Sequence, residues 1–86
     1  MPSETDLLVT LELGPSARWV AEYYACESVQ ELPDGSTLVR LRTPDLRWVR
    51  RLALRLGPAG RVLEPLELVA DVRTAALAAL AHYDGP

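Results

Sequence analysis

The chain has 86 residues, 49% apolar and 24% charged, a profile that fits one small folded domain and excludes a disordered segment. Its net charge of −3 excludes a globally basic nucleic-acid binder, because phosphate binding sets many cations against many phosphates. The lone Cys26 excludes an internal disulfide and a cysteine-built zinc cluster.

Residues 1–5 are polar and read as a loose segment, leaving a single domain over 6–83 and a short tail at 84–86. Asp6 to Leu13 reads as a strand: Leu7, Val9, Leu11 and Leu13 alternate with Leu8, Thr10 and Glu12. Gly14-Pro15-Ser16 ends it, and a helix follows in which Ala17, Val20, Ala21 and Tyr24 form a core stripe with Trp19 and Tyr23 beside it. That helix fades near Cys26. Glu27 to Leu32 is a weaker strand, joined through the Pro33-Asp34-Gly35-Ser36 turn to a strand at Thr37–Thr43.

Residues 44–56 read as an amphipathic helix, with Thr43 as N-cap, Pro44 in the first turn and Gly57 as the stop. Leu46, Val49, Leu52, Ala53 and Leu56 share one face of it; Arg47, Arg50, Arg51 and Arg55 fall largely on the other. A Gly57–Gly60 turn leads to a short strand at Arg61–Glu64, and Pro65 opens a long helix to Tyr83. Its first apolar stripe runs through Leu66, Val69, Arg73, Ala76, Leu77 and Leu80, its second through Leu68, Val72, Ala75, Ala79 and Tyr83. Two stripes call for two neighbours: the domain itself, or another subunit or domain. The second stripe is the candidate for a dimer or interdomain contact.

The element order closes into a ferredoxin-like βαββαβ antiparallel sheet of α+β class, strand order 4-1-3-2, with an added C-terminal helix. Six arginines, Arg40, Arg42, Arg47, Arg50, Arg51 and Arg55, are candidates for bidentate contact with an anionic ligand or partner. Every cation in the chain is an arginine, however, and a solvated face in an arginine-biased composition is the preferred reading. An RNA-type stacking platform is excluded by the outward positions of the central strands, Leu8, Thr10, Glu12, Leu38, Arg40 and Arg42, which carry no aromatic ring. Trp19, Tyr23, Tyr24 and Trp48 are expected to supply core volume in a chain without phenylalanine. His82, near a helix end, is expected to be exposed or in a dipole contact. No serine or cysteine has a base partner and the acids stand singly, so no catalytic residue, metal site or cofactor is expected.

The Leu32-Pro33-Asp34-Gly35 turn, Leu46-Arg47-Trp48-Val49, Leu54-Arg55-Leu56-Gly57 and Val62-Leu63-Glu64-Pro65 together resemble the C-terminal extension (WCX) of WYL-domain transcriptional regulators. The resemblance covers residues 6–83 and is strongest from Trp48 to Pro65. The cytoplasmic location expected comes from the lone Cys26, which points to a reducing compartment. The resemblance implies a bacterial domain active in transcription regulation, in some members in the DNA-damage response. It also implies partners in the same polypeptide, a WYL domain and a helix-turn-helix, together with a homodimer. The effector implied is an anionic ligand or single-stranded nucleic acid. The other reading is a free-standing, small-molecule-binding regulatory domain of the ACT type. No membrane partner is expected, since no apolar run approaches the roughly 20 residues needed to span a bilayer.

Overall fold

The computed structural model describes the backbone of residues 6–83 and the side chains up to Ala78. The expected loose segment 1–5 and tail 84–86 lie outside the described residues, as do the side chains of Ala79, Leu80, His82 and Tyr83. The elements are β1 (Leu7–Leu13), α1 (Trp19–Tyr23), β2 (Ser28–Glu31), β3 (Thr37–Thr43), α2 (Arg47–Leu56), β4 (Gly60–Glu64) and α3 (Leu66–Tyr83). Short 3-10 turns at Pro15–Ala17 and Gly57–Ala59 precede α1 and β4.

The four strands form one antiparallel sheet in the order β2-β3-β1-β4, as the element order predicts for a ferredoxin-like fold. Period-two patterning sets the register. Val9, Leu11 and Leu13 pair across the central ladder so that Val39 and Leu41 share their face, and all five are buried. Val62 from β4, Ala17 and Val20 from the first helical region, and Val49, Leu52 and Ala53 from α2 complete that core. Leu68 of α3 belongs to it too, and α3 packs beside α2 and over β4. The last helix thus extends the helical layer.

The opposite face of the sheet carries Leu8, Arg40 and Arg42, all exposed. Its central Thr10 is buried between neighbours and donates its hydroxyl to Glu64 at 3.2 Å. A register shift in the β1–β4 ladder sets Glu64 opposite Thr10 after Val62 has paired with Leu11, leaving Leu63 as the bulged residue.

Turn chemistry follows the sequence at the hairpin. Gly35 takes φ +90°, and Asp34 accepts the Ser36 N–H at 2.9 Å, which holds its carboxyl below the usual range. Gly57 closes α2 at φ +57°, its N–H donating to the carbonyl of Ala53.

Three expectations are corrected. The organising helix begins at Arg47, with Thr43 still in β3, so Thr43 is no N-cap and Pro44 precedes the helix. The residue at the cap position is Leu46, and Asp45 just before it accepts the Arg47 N–H at 2.9 Å. Finally, Trp19 and Tyr23 are surface residues, 43% and 74% exposed. The physical reason is length: α1 has five residues, enough to turn Val20 fully inward and no more.

Candidate partner and ligand surface

The arginines separate into two groups. Alternation along β3 buries Val39 and Leu41 beneath the helices, so Arg40 and Arg42 stand on the far face of the sheet. They cannot join the α2 arginines in one site. Arg42 is paired with Glu27, which leads into β2. Arg40 forms no ion pair among the described residues.

On α2, Arg47 grips Asp45 with two prongs, Nε to Oδ1 and Nη2 to Oδ2, each at 3.1 Å. The guanidinium, together with the backbone N–H of Arg47, holds the Asp45 carboxyl below the usual range. Arg50 reaches Asp71 of α3 at 3.4 Å and so ties the two helices across their contact. Both pairs are exposed and worth little to stability. What they do is consume cations.

Arg51 and Arg55 remain. One turn apart, they line a depression of about 250 Å³ with Tyr24, Trp48 and Leu52, and neither has an acidic partner among the described residues. Its aromatic wall is fixed. Tyr24 lies past the end of α1 in extended backbone, which carries its ring onto Trp48 with centroids 5.0 Å apart and planes at 27°. The Trp48 indole N–H donates to Thr43 Oγ1 at 2.9 Å. This aromatic and arginine corner was not visible as a unit in the sequence, because Tyr24 and Trp48 lie on separate elements and β2 and β3 run between them.

The helix face proposed for partner contact is also divided. Leu68 is 2% exposed within its own domain, and Val72 and Ala75 are half-buried on it. Ala79 and Tyr83 lie outside the described side chains. Leu66 and Leu77, from the other stripe, are 79% and 60% exposed. With Ala70 and the exposed Arg73 they form an outward row at helical spacing, apolar apart from that arginine. Between α2, β4 and α3 runs an apolar groove of about 280 Å³, lined by Ala53, Leu54, Val62, Val69, Val72 and Ala76 beside Arg61 and Arg73.

Among the described residues there is no cluster of three His, Cys, Asp or Glu side chains placed to hold a metal, and no helix long and apolar enough to cross a membrane. Cys26 is half-buried with its Sγ 3.4 Å from the Tyr24 carbonyl, and burial pushes its thiol up.

Comparison with known proteins then decides the family. Residues 5–80 match the WCX domain. The chain belongs to the WCX family. This is the C-terminal extension of WYL-type regulators that the Trp48–Pro65 block suggested. PafC of Mycobacterium tuberculosis is 45% identical over 74 residues, 86% of this chain and 23% of PafC. PafC of Mycobacterium leprae is 40% identical over the same shares. Among solved structures, the proteasome accessory factor B/C (PafBC) of Arthrobacter aurescens superposes with a TM-score of 0.87 at 36% identity, covering 99% of this chain and 13% of that one. The WCX chain spans about a quarter of the length of the curated relatives it matches.

Proposed function

We propose that this WCX domain is the regulatory and dimerisation module of a bacterial, cytoplasmic WYL-family transcription regulator. It helps the regulator sense an anionic effector, a small ligand or a short single-stranded DNA. Its role is contact, and it performs no chemistry of its own. Family membership supports the regulatory part.

The outward row of Leu66, Ala70 and Leu77 supports the dimer, because an exposed apolar row on a helix already packed on its other side suits a second partner.

Arg51 and Arg55 on α2, and separately Arg40 on the far face of the sheet, have no acidic partner among the described residues, which supports the effector. Sedimentation of the chain tests the dimer: the wild type sediments as a dimer, and Leu66→Glu combined with Leu77→Glu as a monomer. A wild-type monomer at every concentration ends the dimer reading. Short single-stranded DNA tests the effector: binding weakens with salt and on combining Arg51→Ala with Arg55→Ala. No binding to a longer chain that includes the neighbouring domains removes it.

A further inference from the structure

A continuous band of rings crosses the surface from α1 to α2. Trp19 meets Tyr23 edge-on with centroids 6.1 Å apart, Tyr23 meets Tyr24 at 4.9 Å, and Tyr24 stacks on Trp48. Arg51 and Arg55 continue the band along α2. We propose that this band is a docking surface for a carboxylate-bearing protein surface, supplied by the rest of the regulator of which the WCX domain is about a quarter. The inference rests on the family reading above and gives it a place on the molecule.

Composition points to protein. Tyrosine, tryptophan and arginine are the residues on which interface energy concentrates, and here they are contiguous, with Trp19, Tyr23, Arg51 and Arg55 exposed and Tyr24 and Trp48 half-buried. The band is also held in shape before any partner arrives, since Trp48 is fixed by Thr43 on one side and by Tyr24 on the other. Little ordering cost remains on binding.

Charge points to carboxylate. Arg18, Arg42, Arg47 and Arg50 each have an acid from within the chain, whereas Arg51 and Arg55 have none among the described residues. Arg40, Arg61 and Arg73 also lack an ion pair among the described residues, but they lie on the far face of the sheet and at the groove between α2, β4 and α3. An incoming acidic surface gives Arg51 and Arg55 the kind of partner that the other four have.

Nucleic acid fits less well. Glu22 lies on the same helix as Trp19 and Tyr23, and the nearby Arg18 is already spent on Glu31. The two arginines of this band without an acidic partner among the described residues neutralise about two phosphates, a salt slope of only about −1.4 for a single strand. Polyphosphate binders use more.

The test compares the 86-residue chain alone with the same chain grafted in place of the 74 matching residues of mycobacterial PafC. Hydroxyl-radical footprinting reads the oxidation rates of Tyr23 and Trp19. Both rates fall several-fold in the graft, and combining Arg51→Glu with Arg55→Glu restores them. Arg47→Glu, whose partner is Asp45, leaves the protection in place. Equal rates in the chain and the graft overturn the proposal. So does protection that appears only after an oligothymidylate is added, which reassigns the band to nucleic acid.

A second readout avoids the graft. PafC lacking those residues, mixed with the chain, shifts its tryptophan fluorescence, and Tyr23→Ala weakens the binding about tenfold, the scale of one lost interface aromatic. Fluorescence unmoved at saturating partner counts against the proposal. Protection that survives Leu66→Glu with Leu77→Glu, while the dimer is lost, supports this surface independently of the dimer.

Discussion

Trp48 donates its indole N–H to the hydroxyl of Thr43 at 2.9 Å, five residues back at the end of β3. The same oxygen accepts the Asp45 N–H at 3.1 Å, and the hydroxyl proton goes to the Asp45 carbonyl at 2.9 Å. One buried threonine therefore organises the whole strand-to-helix corner. Thr43→Val keeps the shape and removes the acceptor, leaving the indole N–H unpaired. A loss of about 1–2 kcal/mol is expected in urea denaturation. Trp48→Phe in the Thr43→Val background then costs less than Trp48→Phe alone, because the bond has already gone. Equal costs in both backgrounds would show that the bond contributes nothing.

Gly60 begins β4 directly under the last turn of α2. A Cβ placed there would lie 2.5 Å from Leu56 Cδ1 and 3.1 Å from Leu56 Cβ, so the whole leucine must move. Gly60→Ala should cost about 1–3 kcal/mol, the usual scale of overpacking, and lower Tm accordingly. Leu56→Ala added to it should recover part of that loss. If the double variant is less stable than either single one by the full sum, the clash is not the cause.

How much of this was legible beforehand depends on how local the signal is. Val9, Leu11 and Leu13 against Val39 and Leu41 announce a half-buried sheet by alternation alone, and the spacing of Val49, Leu52 and Ala53 announces the helix above it. Together they lead to the strand order. The ends of helices were less readable. Thr43 and Pro44 look like a helix start, yet the ladder to Leu7 holds Thr43 in β3 and delays the helix to Arg47. Trp19 and Tyr23 misled because a chain without phenylalanine argued for them as core volume, whereas the five-residue α1 leaves both exposed. Tyr24 and Trp48 do pack against the core.

The candidate surface was the least legible. Arg42 is neutralised by Glu27 and Arg50 by Asp71, partners fifteen and twenty-one residues away, and only tertiary structure reveals which arginines are left over. The family motifs carried the identification because they record that tertiary arrangement as residue identities.

Asp45 provides a pH-dependent check on the corner. Arg47 hydrogen-bonds its carboxylate and lowers its pKa, so the folded value lies below the unfolded one. A depressed acid contributes stability that is present above the unfolded value, near 3.8, and is lost as pH falls through the folded value. Arg47→Ala should raise the Asp45 midpoint toward 3.8, read from its side-chain carbon resonance. The low-pH limb of the stability curve should become shallower between the two values. An unmoved midpoint would show that the two-pronged contact is not kept in solution.

The last helix separates what folds the domain from what the domain offers to others. Leu68 is enclosed by the core, and its backbone N–H donates to the carbonyl of Pro65 at 3.0 Å within the first turn. Leu77, about two and a half turns along, faces outward. Leu68→Ala should destabilise the chain by about 2–4 kcal/mol through lost burial and the cavity left behind. Leu77→Ala should stay within about 0.5 kcal/mol at concentrations where the chain is monomeric, as exposed substitutions do. At concentrations where a dimer forms, the Leu77 variant alone should lose the rise of Tm with protein concentration, since association stabilises by mass action. Thermal melts over a hundredfold range of concentration read both effects together. A large monomer penalty at Leu77 would mean that the outer row is structural and would sink the dimer proposed through it.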